Sequence, residues 1–188
     1  MKSKREKLPN RVELGPVVDR QKKYAKTIGL TLPEGITKSD AEALINRELD
    51  NDEAAVSGLI AYARSKEILC SDYVGNKYLH NLLFDHLEEA DKAAFFCFCV
   101  YKFFVREAEE AGNLEEDCHS QLFIKFGEEK AKDYYFTASL DEYYGEEIVY
   151  FGKCERVVNG KKKTIYGGSV LTRAYKETYA YLKENNLI

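Results

Sequence analysis

"YAKTIGLTLPEGITKSDAEALINREL", Tyr24 to Leu49, and "YARSKEILCSDYVGNKYLHNLLFDHL", Tyr62 to Leu87, align without a gap when the chain is slid by 38 positions. Tyr24 meets Tyr62, Ala25 meets Ala63, Ile36 meets Val74, Leu44 meets Leu82 and Ile45 meets Leu83. Self-similarity at a fixed spacing marks a duplicated supersecondary unit. Within each copy a short helix, a turn and a second helix are expected. In the first copy "TLPEG" is the turn, Thr37 is placed as N-cap, and Ala41, Leu44, Ile45 and Leu49 form the apolar stripe of the second helix. In the second copy the stripe is Leu79, Leu82, Leu83 and Leu87, whose larger side chains predict deeper packing. Two copies are fewer than a solenoid needs, so they are expected to pack on each other and on the C-terminal half of the chain.

Working outward, residues 1–17 read as a basic flexible arm, because Pro9, Gly15 and Pro16 interrupt any helix. Residues 18–88 are the duplicated helical module. Residues 91–188 read as a separate α+β domain opened by "DKAAFFCFCVYKFFVREAEEAG", apolar nearly all round from Ala93 to Val105, which predicts a buried central helix. Near the C-terminus, Asn159-Gly160 lies between two β-rich runs and predicts a β-hairpin with Cys154 opposite Ile165 and Glu155 opposite Thr164. A closing helix completes the chain, with Tyr175, Tyr179 and Leu182 on one face. The expected class is α+β, mostly helical: two helix-turn-helix repeats, a buried central helix, and a C-terminal β-hairpin with a closing helix.

An apolar content of 45%, with aromatics at 13%, supports a packed core in a chain of 188 residues. No apolar run reaches membrane-spanning length and the N-terminus leads into no signal segment, so a cytoplasmic protein is expected. Five cysteines without a paired pattern suggest reduced thiols. Charge is segregated: residues 1–26 hold nine Lys or Arg against three acids, so with the whole chain at −4 the remainder stands near −10.

The motifs of metal and nucleotide chemistry are missing. There is no Cys-x-x-Cys, no His-Glu-x-x-His and no phosphate-cradling glycine loop, so no cofactor, no metal and no catalytic residue is expected. Cys97 and Cys99 point about 200° apart on a helix and read as core thiols. Cys118 beside His119 reads as a pair of loop residues, and His80 and His86 as packing or capping groups. Two charged constellations remain as candidate sites. Glu107, Glu109, Glu110, Glu115, Glu116 and Asp117 form an acidic run without a base, suited to competing for a cleft built to hold phosphates. Arg156, Lys161, Lys162 and Lys163 crowd the expected hairpin tip, suited to touching nucleic-acid phosphates.

The stretches "YAKTIGL...ITKSDAEALI" and "SDYVGNKYLHNLLFDHL" resemble the small helix-extension-helix modules of SAP or HeH type found in phage and conjugative-element proteins, over residues 19–88. The resemblance implies a mobile-element protein, a class that includes inhibitors of type II CRISPR nucleases. The function expected on that basis is non-enzymatic inhibition of a Cas9-like host nuclease or its guide-RNA complex, obstructing DNA engagement, inside a bacterial host cell. The alternative is a DNA-binding accessory protein of a phage or conjugative element. The partners expected are the nuclease or its RNA complex, with DNA or RNA contact open and no membrane.

Overall fold

A computed structural model of the chain describes residues 7–105, 112–143, 148–149, 153–158, 161–166 and 168–188. Eight α-helices carry these residues: α1 (Asp19–Thr27), α2 (Lys38–Leu49), α3 (Ser57–Ser65), α4 (Asn76–His86), α5 (Glu89–Phe104), α6 (Ser120–Lys130), α7 (Tyr134–Leu140) and α8 (Arg173–Glu184). The α+β class is corrected by this result. A β class requires a sheet that forms one layer of the core, and the core among the described residues is helical. The backbones of Lys153–Val158 and Lys161–Tyr166 run antiparallel, but as a two-stranded ladder that no third strand joins among the described residues. Such a ribbon is marginal by itself. Its expected turn, Asn159-Gly160, and all its side chains lie outside the described residues. The expected C-terminal β-hairpin is therefore not supported as an element of the class.

The chain divides into two compact units, Met1–His86 and Leu87–Ile188. In the first, the 38-residue duplication is visible in the backbone. Both first helices and both second helices start at equivalent positions, and the isolated bridges Pro16 with Thr37 and Ala54 with Gly75 are equivalent too. Each first helix ends alike: Leu30 N–H donates to Ala25 O and Ile68 N–H to Ala63 O, both at 2.9 Å. The left-handed residue that permits this closure is Gly29 in one copy (φ 78°) and Glu67 in the other (φ 58°). Ala41, Leu44 and Ile45 are buried as expected, but Leu49 is 52% exposed whereas its counterpart Leu87 is 7% exposed. With Leu79, Leu82 and Leu83 all buried, the second copy is the more deeply packed.

In the second unit every residue of α5 from Lys92 to Tyr101 is buried. Phe96 meets Tyr143 edge-on at 4.7 Å, and Phe98 and Tyr101 both pack on Phe123 of α6. The α5–α6 crossing is close because Gly127 has no side chain. A Cβ there would stand 2.3 Å from the Ala90 carbonyl and 2.8 Å from the Ala94 Cβ. Lys92 enters the core with its ammonium held by Asp141 at 3.0 Å and Glu89 at 3.2 Å. Burial disfavours that charge, but the hydrogen bond and negative charge of Asp141 outweigh it and hold its pKa above the ordinary lysine value. On α8 the buried line is Ala174, Thr178 and Leu182, so of the expected face of Tyr175, Tyr179 and Leu182 only Leu182 is fully buried. The small residues allow close approach, while the two tyrosines stack on each other at 6.2 Å, half-buried.

Candidate functional site

Two helix N-termini of the first unit are closed by different devices. At α2, Thr37 Oγ1 accepts from Asp40 N–H (3.2 Å), and Asp40 Oδ2 accepts from the Thr37 N–H (3.1 Å). This is the reciprocal capping box, which satisfies two backbone donors at once. The other oxygen of Asp40 accepts from Ser71 in the second copy at 2.6 Å. Burial pushes the Asp40 carboxyl up, yet the hydrogen bonds from Ser71 and Thr37 prevail and hold it below the ordinary aspartate value. At α4 the cap position is Gly75, which carries no side chain. Asp52 reaches over instead and accepts from Lys77 N–H (3.0 Å) and Tyr78 N–H (3.1 Å). Its counterpart in the first copy is Leu14, so comparison of the copies could not reveal this clamp.

Residues 7–15 of the expected basic arm are hydrogen-bonded across both copies. Leu8 N–H donates to Asp85 (3.1 Å), His86 Nε2 donates to Leu8 O (2.7 Å), and Asn10 Oδ1 accepts from Leu69 N–H (2.7 Å). Further along, Glu13 N–H donates to Ser39 Oγ (2.5 Å), Lys38 N–H donates to Gly15 O (2.7 Å), and Lys38 pairs with Glu13. Between this strap and α2 and α4 lies a cavity of about 80 Å³.

Of the acidic run, Glu115, Glu116 and Asp117 are described; Glu107, Glu109 and Glu110 lie outside the described residues. Glu115 and Glu116 sit on a short 3₁₀ turn, Leu114–Glu116, with Asp117 directly after it, and the turn is anchored by Leu114, which is 2% exposed. Asn113 fixes the turn from both sides, its oxygen accepting from Glu115 N–H (3.0 Å) and its amide donating to Glu116 (3.0 Å). Asp117 is engaged as well, accepting from His119 N–H at 2.8 Å ahead of α6. Glu115 and Glu116 are exposed. Among the hairpin cations, the backbone of Arg156 stands opposite Lys163, and Val157 and Val158 stand opposite Lys162 and Lys161.

A further cationic surface was hidden within the N-terminal charge excess. On α1, Arg20, Lys22, Lys23 and Lys26 are all exposed, with Tyr24 among them. In the second copy the matching residues are Gly58, Ile60, Ala61 and Arg64, and Ile60 and Tyr62 are buried. The second copy has turned the positions of Lys22 and Tyr24 inward, as Ile60 and Tyr62, while Ala61 and Arg64 stay exposed like Lys23 and Lys26. Lining up the copies position by position is the signal that finds it.

Among the described residues, Cys97 and Cys99 and the three imidazoles occupy structural positions. Cys97 and Cys99 are buried, and burial pushes the Cys97 thiol well above its ordinary value and that of Cys99 up to about 12. Cys118 is exposed in a turn, and the His119 ring is held edge-on against Tyr101 at 5.7 Å. His80 donates to the Asn76 carbonyl of its own helix at 2.8 Å. Among the described residues no group of three His, Cys, Asp or Glu is arranged to hold a metal, and no helix is long and apolar enough to cross a membrane. No family model, no curated protein and no solved structure matches the chain.

Proposed function

We propose that the protein is a non-enzymatic inhibitor that binds a nucleic-acid-handling host nuclease, of the Cas9 type, or its guide-RNA complex, and obstructs DNA engagement. The observation that supports this reading most is the acidic turn. Glu115 and Glu116 project from a turn locked by a buried Leu114 and by the Asn113 side chain. Preorganised charge loses little entropy on binding and competes for a channel lined with cations. The test is capture of the purified nuclease, with and without guide RNA, by the immobilised protein. Retention of the nuclease and loss of its DNA binding support the reading; absence of capture in both forms refutes it.

One observation favours a second reading, a DNA-binding accessory protein: the exposed basic face of α1, supplemented by the candidates Arg156, Lys161, Lys162 and Lys163. Phosphate contacts of this kind give affinity without sequence preference and fall with salt. A duplex shift assay across a salt series distinguishes the two. Submicromolar duplex binding with a steep salt slope, and no nuclease capture, favours the second.

A further inference from the structure

The arm of the first unit lies in its cleft the way a bound peptide lies in a receptor. Residues 8–15 run extended from the C-terminal end of α4 to the N-terminal end of α2, and most of their polar contacts go through their own backbone: Leu8 N–H and O, Glu13 N–H and O, and Gly15 O. Backbone recognition of an extended segment is tolerant of sequence, with specificity left to neighbouring pockets. The segment is held by few apolar anchors. Leu8 and Val12 are half-buried, Pro9, Asn10 and Arg11 are exposed, and Leu14 is 80% exposed. Elements held this way open locally at low free energy.

Beneath the strap the cavity of about 80 Å³ is not filled by it. One wall is the strap itself, including Pro9, Arg11 and Val12; the other includes Glu42, Asp50, Asp52 and Tyr78. Those three acids face one base on the same wall, Arg47, so its balance is acidic, and the strap brings Arg11 to it beside Glu13. The Tyr78 hydroxyl reports the same field: burial first, then the charges of Glu42 and Asp85, raise its pKa.

We propose that the cleft between α2 and α4 is a binding site for an extended, basic segment of a partner protein, and that residues 8–13 occupy it in cis. The strap then acts as an internal competitor, lowering apparent affinity by the fraction of time it stays in place. This inference is independent of the acidic turn.

The test uses the full chain and a labelled peptide of residues 7–14, KLPNRVEL, monitored by fluorescence anisotropy. The variant Asn10→Ala with Glu13→Ala removes the strap's side-chain contacts to Leu69 and Lys38 while leaving the cleft intact. It is expected to bind the peptide at least tenfold more tightly than the unaltered chain. Adding Asp85→Ala, which removes the acceptor for the Leu8 amide, should weaken that binding at least fivefold. Equal affinity for both chains, or equal affinity for a scrambled peptide of the same composition, overturns the proposal. If the double variant loses its helical circular dichroism, hydrogen exchange in the unaltered chain decides. Exchange of the Leu69 and Ser39 amides at least tenfold faster than the interior of α4 supports an opening strap, and protection equal to α4 overturns it.

Discussion

Gly127→Ala tests the helix crossing at the centre of the second unit. The added Cβ meets the Ala90 carbonyl oxygen at 2.3 Å, the Ala94 Cβ at 2.8 Å and the Ala94 amide nitrogen at 3.0 Å. Two of these neighbours are backbone atoms of α5, which cannot rotate away, so α5 and α6 must separate. Overpacking of this kind costs about 1–3 kcal/mol, and backbone obstruction places it at the upper end. Against it stands the gain of about 0.5–1 kcal/mol from replacing a helical Gly by Ala. The net loss is about 2 kcal/mol, which for a body of this size lowers the melting temperature by about 10 °C. Thermal melts monitored by circular dichroism at 222 nm measure it. The sign is the discriminating feature: an unobstructed helical Gly→Ala change raises stability, so a melting temperature equal to or above that of the unaltered protein would refute the close crossing.

Three further outcomes are expected. Asp52→Ala leaves the α4 N-terminus without its cap and should cost about 1 kcal/mol in a denaturant titration. Glu67→Gly relieves a left-handed non-glycine residue, and by the example of Gly29 should raise stability by about 0.5–1 kcal/mol in the same titration. Asp40 has a depressed folded-state pKa, so it binds fewer protons folded than unfolded; its contribution is complete above the ordinary aspartate value of about 3.9 and is lost as pH falls through the lower folded value. The stability difference between the unaltered protein and Asp40→Asn should accordingly be constant from neutral pH to about pH 5 and narrow below about pH 4, as read by melts across that range.

Much of the first unit was legible because its determinants are local. The 38-residue repeat, the Thr37 cap and the stripes from Ala41 to Ile45 and Leu79 to Leu87 come from spacing and residue type alone. The Asp52 clamp was not legible, since a carboxylate reaching a helix that begins 24 residues later has no periodic signature. The strap was missed for a related reason. Pro9, Gly15 and Pro16 do exclude a helix, but the backbone hydrogen bonds of an extended segment leave no mark on side-chain pattern. The class failed because Asn159-Gly160 speaks only for a turn between two strands, and turn chemistry says nothing about whether a ribbon becomes a layer of the core. Among the acids, Glu115 and Glu116 were visible as charge, whereas the anchoring by Leu114 and Asn113 that fixes their direction required the fold.

The inhibitor reading is tested most directly by the rate at which the protein associates with the nuclease–guide complex when its acidic turn is neutralised. Replacing Glu115 and Glu116 by Gln keeps the turn, because Asn113 caps the backbone at Glu115 and Leu114 remains buried. Stopped-flow association at low salt is predicted to slow severalfold relative to the unaltered protein, and the two rates to converge as rising salt, to about 0.5 M, screens the field. Equal rates at low salt with undiminished inhibition of cleavage would contradict the account.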